Sequence, residues 1–83
     1  MVKTREIIDL MGIVIVTERD RRGVPLEIGI ETDDFLTYVI TCKMKGKELF
    51  NHISKKAAIS CLIEGKNYFG NNLISVVDYS ILE

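Results

Sequence analysis

Residues 44–56, MKGKELFNHISKK, decide the fold, because they are the one convincing helical stretch in a chain dominated by strand-like segments. Leu49, Phe50 and Ile53 fall on one side of a short helix, at positions i, i+1 and i+4. One or two helical turns do not hold in isolation, so the segment must pack against an apolar surface. We therefore expect a single short helix within residues 45–55 that covers the open end of a sheet or barrel.

Five strand-like segments surround this helix, three before it and two after it. The first, residues 7–17, is rich in β-branched side chains and has Gly12 at its middle, where a long strand can bend. The second alternates cleanly, with Leu26, Ile28 and Ile30 expected to face inward and Glu27, Gly29 and Glu31 outward. The other three segments are residues 35–43, 57–64 and 73–82.

The register of the third strand depends on the length of the turn around Thr32, Asp33 and Asp34. A two-residue turn would point Thr37, Val39 and Thr41 inward. One extra residue in the turn would instead point Tyr38, Ile40 and Cys42 inward. We favour the second register, because it buries the larger apolar set.

Three strands, a short helix and two further strands follow one another in the order of the OB-fold, a small five-stranded Greek-key barrel. The prediction is therefore one all-β domain with a small α content, spanning residues 1–83. The helix lies between the third and the fourth strand.

Most of the chain also resembles small stand-alone bacterial OB-fold proteins. The positions that carry this resemblance are Gly46, Lys47, Glu48 and Leu49 in the helix, Ser54, Lys55 and Lys56 before the fourth strand, Gly70 in the last hairpin and Tyr79 in the final strand. Residues 26–40, LEIGIETDDFLTYVI, look like the second and third strands of that group. Ser60 departs from the pattern, since the fourth strand of an OB-fold often has a glycine near its centre. These proteins are largely without assigned activity, so the resemblance implies a barrel of the nucleic-acid-binding type and no specific function.

Composition and charge exclude several classes of function. The 83 residues are 47% hydrophobic and 28% charged with a net charge of −1, which gives no global electrostatic case for nucleic acid or an anionic membrane. Charges such as Lys3 and Arg5 make the N-terminal segment unlike a signal peptide. The longest apolar run, residues 10–16, is far shorter than the roughly 18 residues that span a membrane. We expect a cytoplasmic protein in which Cys42 and Cys61 are buried free thiols.

No pattern in the chain supports catalysis or metal binding. The single histidine, His52, has no positioned partner and is expected to be solvated or to cap the helix. Asp33 and Asp34 are adjacent, which is typical of a turn rather than of a metal site. We therefore expect no enzymatic activity, no cofactor and no metal.

Two loops carry the residues of a candidate ligand-binding surface. In an OB-fold, the loops between strands one and two and between strands four and five flank the ligand groove. Arginines that contact phosphates and aromatic rings that stack on bases are typical of single-strand sites. The candidate residues are Arg19, Arg21 and Arg22 on the first loop and Lys66, Tyr68 and Phe69 on the second. Alternatively, the arginine loop is a solvated turn and the two aromatic rings pack on a barrel end.

Apolar side chains on both faces of the first and fifth strands point to a partner. A barrel needs only its inner face to be apolar, and continuous apolar strands imply cover on both sides. We therefore expect a homodimer or another protein partner on the outer face of strand one or strand five. The main interpretation is a non-enzymatic, self-associating interaction module. The alternative is a weak single-stranded nucleic-acid binder, because Glu27 and Glu31 on the groove side oppose phosphates.

Overall fold

A computed structural model describes residues 6–82 and shows the predicted order of elements. The strands are β1 (Ile7–Arg19), β2 (Pro25–Thr32), β3 (Thr37–Ile40), β4 (Lys56–Lys66) and β5 (Asn72–Ile81), with a 3₁₀ helix at Met44–His52. Lys3 and Arg5 lie outside the described residues, as does Glu83 at the end of the predicted domain. In the described range, no helix is long and apolar enough to cross a membrane.

The five strands close into a barrel in the order β1-β2-β3-β5-β4, which confirms the predicted OB-fold topology. β3 and β5 pair in parallel, and the other four pairs are antiparallel. β1 serves two neighbours: its segment 7–13 pairs with β4, and its segment 12–19 pairs with β2. The change of partner therefore takes place at Gly12, where the sequence predicts a bend.

The 3₁₀ helix packs against the barrel through the residues that its sequence predicts. Leu49 is fully buried in the core, and Phe50 and Ile53 pack beside it. The helix begins at Met44, one residue earlier than predicted. The core residues that it joins are Val14, Ile28, Ile30, Ile40, Ala57, Ile59, Cys61, Ile74 and Val76.

β3 adopts the favoured register, although it is shorter than predicted. Tyr38 pairs with Ile30 and Ile40 pairs with Ile28, so these two β3 side chains face the core. The strand ends at Ile40, because its parallel ladder with β5 extends only that far. Cys42 therefore lies beyond the barrel wall and is exposed, which makes its predicted inward position wrong.

A β-bulge moves one predicted core residue outward. Ile28 and Ile30 are fully buried, as expected, whereas Leu26 is 52% exposed. The pairing of β1 with β2 runs from Glu18–Glu27 directly to Arg19–Pro25, which leaves Leu26 without a partner on β1. An extra residue of this kind breaks the alternation of faces, so Leu26 does not continue the inner row.

A second bulge, in β5, moves two side chains of one expected apolar face of that strand to the other face. Tyr79 pairs with Ile59 and Val76 pairs with Cys61, so Val77 is the extra residue. After it, Tyr79 and Ile81 turn toward the core side, where Val76 also lies. Tyr79 and Ile81, which strict alternation along β5 would place on the face opposite Val76, therefore lie on the same side as Val76, and β1 keeps an exposed apolar row.

Candidate binding cleft

The loop between β4 and β5 is built around the side chain of Asn67. Its Oδ1 accepts hydrogen bonds from the amide N–H groups of Phe69, at 3.0 Å, and Asn71, at 2.9 Å. The amide of Gly70 donates to the Asn67 carbonyl at 3.0 Å, and Gly70 has φ of +83°, which favours glycine. The backbone of this hairpin is thus fixed by local hydrogen bonds that leave the side chains of residues 68 and 69 free.

The loop between β1 and β2 has the same construction around Asp20. Its Oδ1 accepts from the amides of Arg22, at 2.8 Å, and Val24, at 2.9 Å. The amide of Gly23 donates to the Asp20 carbonyl at 3.0 Å, and Gly23 has φ of +84°. The two loops therefore share one backbone frame, and in each the two residues after the Asx residue form the tip.

The tip of the β4–β5 loop, which we call the aromatic tip, consists of Tyr68 and Phe69. The two residues are 95% and 82% exposed, so the expectation that they pack on a barrel end is wrong. Their rings meet edge to face, with centroids 5.4 Å apart and an interplanar angle of 86°. The aromatic tip is thus a pair of solvent-exposed rings on a backbone that local hydrogen bonds fix.

The aromatic tip and Asn67 form one wall of a cleft of about 400 Å³, and Thr17, Glu18 and Glu27 form the other. A β-bulge builds this second wall: Val16 pairs with Ile28 and Glu18 with Glu27, which leaves Thr17 as the extra residue. The Thr17 hydroxyl donates a hydrogen bond of 2.7 Å to Oε1 of Glu27. The cleft thus combines two aromatic rings with two carboxylates, and we call it the acidic–aromatic cleft.

The predicted basic residues do not line this cleft. Arg19 donates from Nη1 to the carbonyl of Gly23 at 2.8 Å, within its own loop. Arg21 and Arg22 are exposed, and their guanidinium groups make no hydrogen bond or ion pair with any described residue. Lys66 is exposed at the end of β4, opposite Asn72. Of the six predicted residues, Tyr68 and Phe69 therefore line the cleft, together with the carboxylates of Glu18 and Glu27. The ligand-binding role of the six residues stays a prediction.

Sequence reasoning missed Thr17, Glu18 and Asn67 as members of the site. The repeated pattern Asx-x-x-Gly, at Asp20–Gly23 and Asn67–Gly70, was the available signal for two loops of one kind. The bulge at Thr17 has no comparable signal, because it depends on how β1 and β2 pair. Glu27 and Glu31 do lie on the outer face of β2, as predicted.

Polar contacts hold the 3₁₀ helix to β5. The Tyr79 hydroxyl donates to Oε1 of Glu48 at 2.8 Å, and Nζ of Lys45 lies 3.2 Å from Oδ1 of Asp78. The hydrogen bond to Glu48 raises the pKa of Tyr79, while the hydrogen bond from Lys45 lowers the pKa of Asp78. Both pairs are exposed, so they orient the helix more than they stabilise it.

His52 is half-buried rather than solvated and does not cap the helix with its side chain. Its ring lies 5.9 Å from that of Tyr79, and within residues 6–82 its buried Nδ1 has no hydrogen-bond partner. No three His, Cys, Asp or Glu side chains of that range could together hold a metal ion.

Compared with known proteins, the chain matches no family model, no curated protein and no solved structure.

Proposed function

We propose that the protein is a non-enzymatic OB-fold interaction module that self-associates through the outer face of β1. The observation that carries this proposal is a row of apolar side chains on that face. Ile7, Met11 and Ile13 are 60%, 49% and 39% exposed, while their inward neighbour Val14 is fully buried. We call these three outward residues the β1 row. Met11 and Ile13 are neighbours on this face, and Asp9 separates them from Ile7. Exposed apolar side chains grouped on one face of a strand are typical of a surface that another protein covers.

The surface beside the β1 row supports a second copy of the chain as the partner. Met11 pairs with Ala58, and the two border a groove of about 310 Å³ whose wall includes the small residues Ser60 and Ser80. A two-fold interface uses the same patch of both subunits, so the exposed Met11 of one copy could enter the groove of the other. Asp9 lies in the same surface, and it accepts a hydrogen bond of 2.8 Å from the Ser60 hydroxyl.

The state of the cysteines supports the cytoplasmic location that forms part of this proposal. Cys42 is an exposed free thiol and Cys61 a buried one. A reducing compartment keeps such thiols unpaired. An exposed thiol would be open to oxidation in a secreted protein.

The mass of the protein in solution, measured by light scattering over a wide concentration range, tests the proposal. Met11→Glu should abolish the dimer and leave the circular dichroism spectrum unchanged, because it places a charge in the β1 row. Val14→Glu, on the inner face of the same strand, should unfold the chain. Leu36→Glu, an exposed change outside the row, is the matched control and should stay dimeric. A wild-type protein that is monomeric at every concentration would exclude self-association.

The exposed aromatic tip also favours a second candidate, weak binding of single-stranded nucleic acid. Its rings are free to stack on bases, and the guanidinium groups of Arg21 and Arg22 are available for phosphates. Retention on immobilised single-stranded DNA should then fall with salt, with a slope of roughly 0.7 per phosphate contact. Replacing Arg21 and Arg22 with alanine should flatten that slope, and Tyr68→Ala should weaken retention at an unchanged slope. Absence of retention at low salt would remove this candidate.

A further inference from the structure

Glu18 and Glu27 form an unfavourable pair in the sheet. They lie directly opposite each other on β1 and β2, where like charges are destabilising. Neither carboxylate forms an ion pair with a described residue, and one hydrogen bond, from the Thr17 hydroxyl, reaches Glu27. Arg19, which follows Glu18 in the chain, donates to the Gly23 carbonyl instead, and neither Arg21 nor Arg22 on the same loop forms an ion pair with a described residue. The pair therefore places two acidic side chains at directly opposed positions of the sheet in the wall of the cleft, where a bound cation would be favourable.

The opposite wall of the cleft supplies a second feature that attracts cations. Tyr68 and Phe69 are almost fully exposed, although burying such rings would be favourable. The electron-rich face of an aromatic ring attracts an ammonium or guanidinium group. Because Asn67 fixes the loop backbone, the rings need little ordering when a ligand enters.

We infer that the acidic–aromatic cleft binds an arginine side chain of a partner protein. A guanidinium is planar, so it can stack on one ring of the aromatic tip while its N–H groups donate to Glu18 or Glu27. A lysine ammonium would gain the charge interaction but less of the stacking. A phosphate backbone would meet two carboxylates at the cleft wall, which opposes nucleic acid at this place. The inference is independent of the β1 row, which lies outside the cleft.

The test is a titration of the 15N-labelled protein with an acetylated and amidated peptide of alternating glycine and arginine. Chemical-shift changes should be confined to the residues that line the cleft. The same peptide with citrulline in place of arginine keeps the shape without the charge and should bind about tenfold more weakly. A lysine version should fall between the two. Equal binding of the arginine and citrulline peptides would overturn the inference, as would shifts at other surfaces.

Substitutions in the cleft measure how much each wall contributes to the affinity for the arginine peptide. Glu18→Gln and Glu27→Gln should each weaken binding of the arginine peptide by about two- to fivefold, through the lost charge. Phe69→Leu should weaken it by about two- to fivefold, through the lost ring. Glu31→Gln removes an exposed carboxylate of β2 outside the cleft and should leave the affinity unchanged. If Glu31→Gln weakened binding as much as Glu27→Gln does, the attraction would be a general charge effect and the cleft would not be the site.

Three further measurements separate self-association from binding at the cleft and distinguish other occupants of the cleft. The monomeric Met11→Glu variant should still bind the peptide, so that a failure of self-association and a failure of the cleft are seen separately. An oligothymidylate that shifts the cleft residues, and loses this effect when Arg21 and Arg22 are alanine, would assign the cleft to nucleic acid and overturn the inference. A wild-type dimer that Glu18→Lys dissociates would show a second copy as the occupant and would also overturn it.

Discussion

Phe35 and Gly70 occupy the same position in two hairpins of one geometry, with φ of +64° and +83°. Each donates its amide N–H to the carbonyl of the residue three places before it, Phe35 to Thr32 at 2.9 Å and Gly70 to Asn67 at 3.0 Å. The left-handed region costs a residue with a side chain about 1–2 kcal/mol. The side chain of Phe35 is 85% exposed, so little burial offsets that cost.

Phe35→Gly should therefore stabilise the protein. The gain is about 0.5–1 kcal/mol, because relief of the left-handed strain exceeds the extra entropy that glycine gives the unfolded chain. Urea unfolding of the wild type, Phe35→Gly and Phe35→Ala measures it. The alanine variant also loses the ring but keeps the strain, so it should lie well below the glycine variant. Equal stability of the two variants would contradict a left-handed backbone at this position.

Gly12→Ala should be strongly destabilising. A β-carbon on Gly12 would stand 2.1 Å from the carbonyl oxygen of Glu31, and that oxygen belongs to the backbone of β2. Overpacking of this kind costs about 1–3 kcal/mol, and more where a backbone group has to move. Gly23→Ala is the matched control, because nothing lies within 4 Å of its β-carbon position and its cost is backbone strain alone. A Gly12→Ala protein as stable as Gly23→Ala would show that the backbone of β2 does not lie this close to Gly12.

Ionisation of the Cys61 thiol should lower the unfolding free energy of the protein at alkaline pH. Burial raises the pKa of its thiol from 9.0 to about 11. Well below pH 9.0 the thiol is protonated in both the folded and the unfolded state, so its contribution to stability is present in full. Above that pH the unfolded chain releases the proton first, and stability falls by about 2–3 kcal/mol until the folded thiol also ionises. Cys61→Ala should lose this part of the pH dependence of the unfolding free energy.

The exposed thiol provides the control for that experiment. Cys42→Ala also removes a thiol, but one outside the core, and should keep the alkaline slope of the wild type. A thiol reagent should label Cys42 in the native protein and reach Cys61 upon unfolding. The same slope in Cys61→Ala as in the wild type would contradict the burial of this thiol.

Ser75 is expected to stabilise the outer side of the barrel through a buried hydrogen bond. It is 2% exposed, and its hydroxyl donates to Oε2 of Glu64 at 2.7 Å. Its Oγ also lies 3.3 Å from Oγ1 of Thr41. Ser75→Ala should cost about 1–3 kcal/mol, because the serine is itself buried and its part-buried hydrogen bond is to a carboxylate. Ser80→Ala, an exposed change on the same strand, should stay within about 0.5 kcal/mol of the wild type in chemical denaturation.

Local periodicity accounts for what the sequence predicts correctly about the fold. The alternation that ends in Ile28 and Ile30 identifies the inner face of β2, and Leu49 identifies the buried side of the helix. The favoured register of β3 follows from the same preference for burying the larger apolar set. These features depend on residues close to one another in the chain.

Single-residue shifts in strand pairing account for what the sequence misses. Leu26, Tyr79 and Ile81 change face because a bulge precedes or includes them, and a bulge leaves no mark in composition. Cys42 is exposed because β3 ends with its ladder to β5, which is a contact between distant parts of the chain. The same limit applies to the cleft: sequence reasoning identifies Tyr68 and Phe69, but their carboxylate neighbours follow from the bulge at Thr17.

The hairpins built on Asp20 and Asn67 close through one set of groups and expose another to solvent. Both hairpins are closed by hydrogen bonds of backbone groups and of the Asx side chain, so the side chains of the two tip residues take no part in closing them. One tip holds two arginines and the other two aromatic rings on the same backbone. The dipeptide at either tip can therefore be exchanged while the hydrogen bonds that close the hairpin stay in place. Substitutions of these four exposed side chains are thus expected to change the surface chemistry of the two hairpins with little effect on the stability of the barrel.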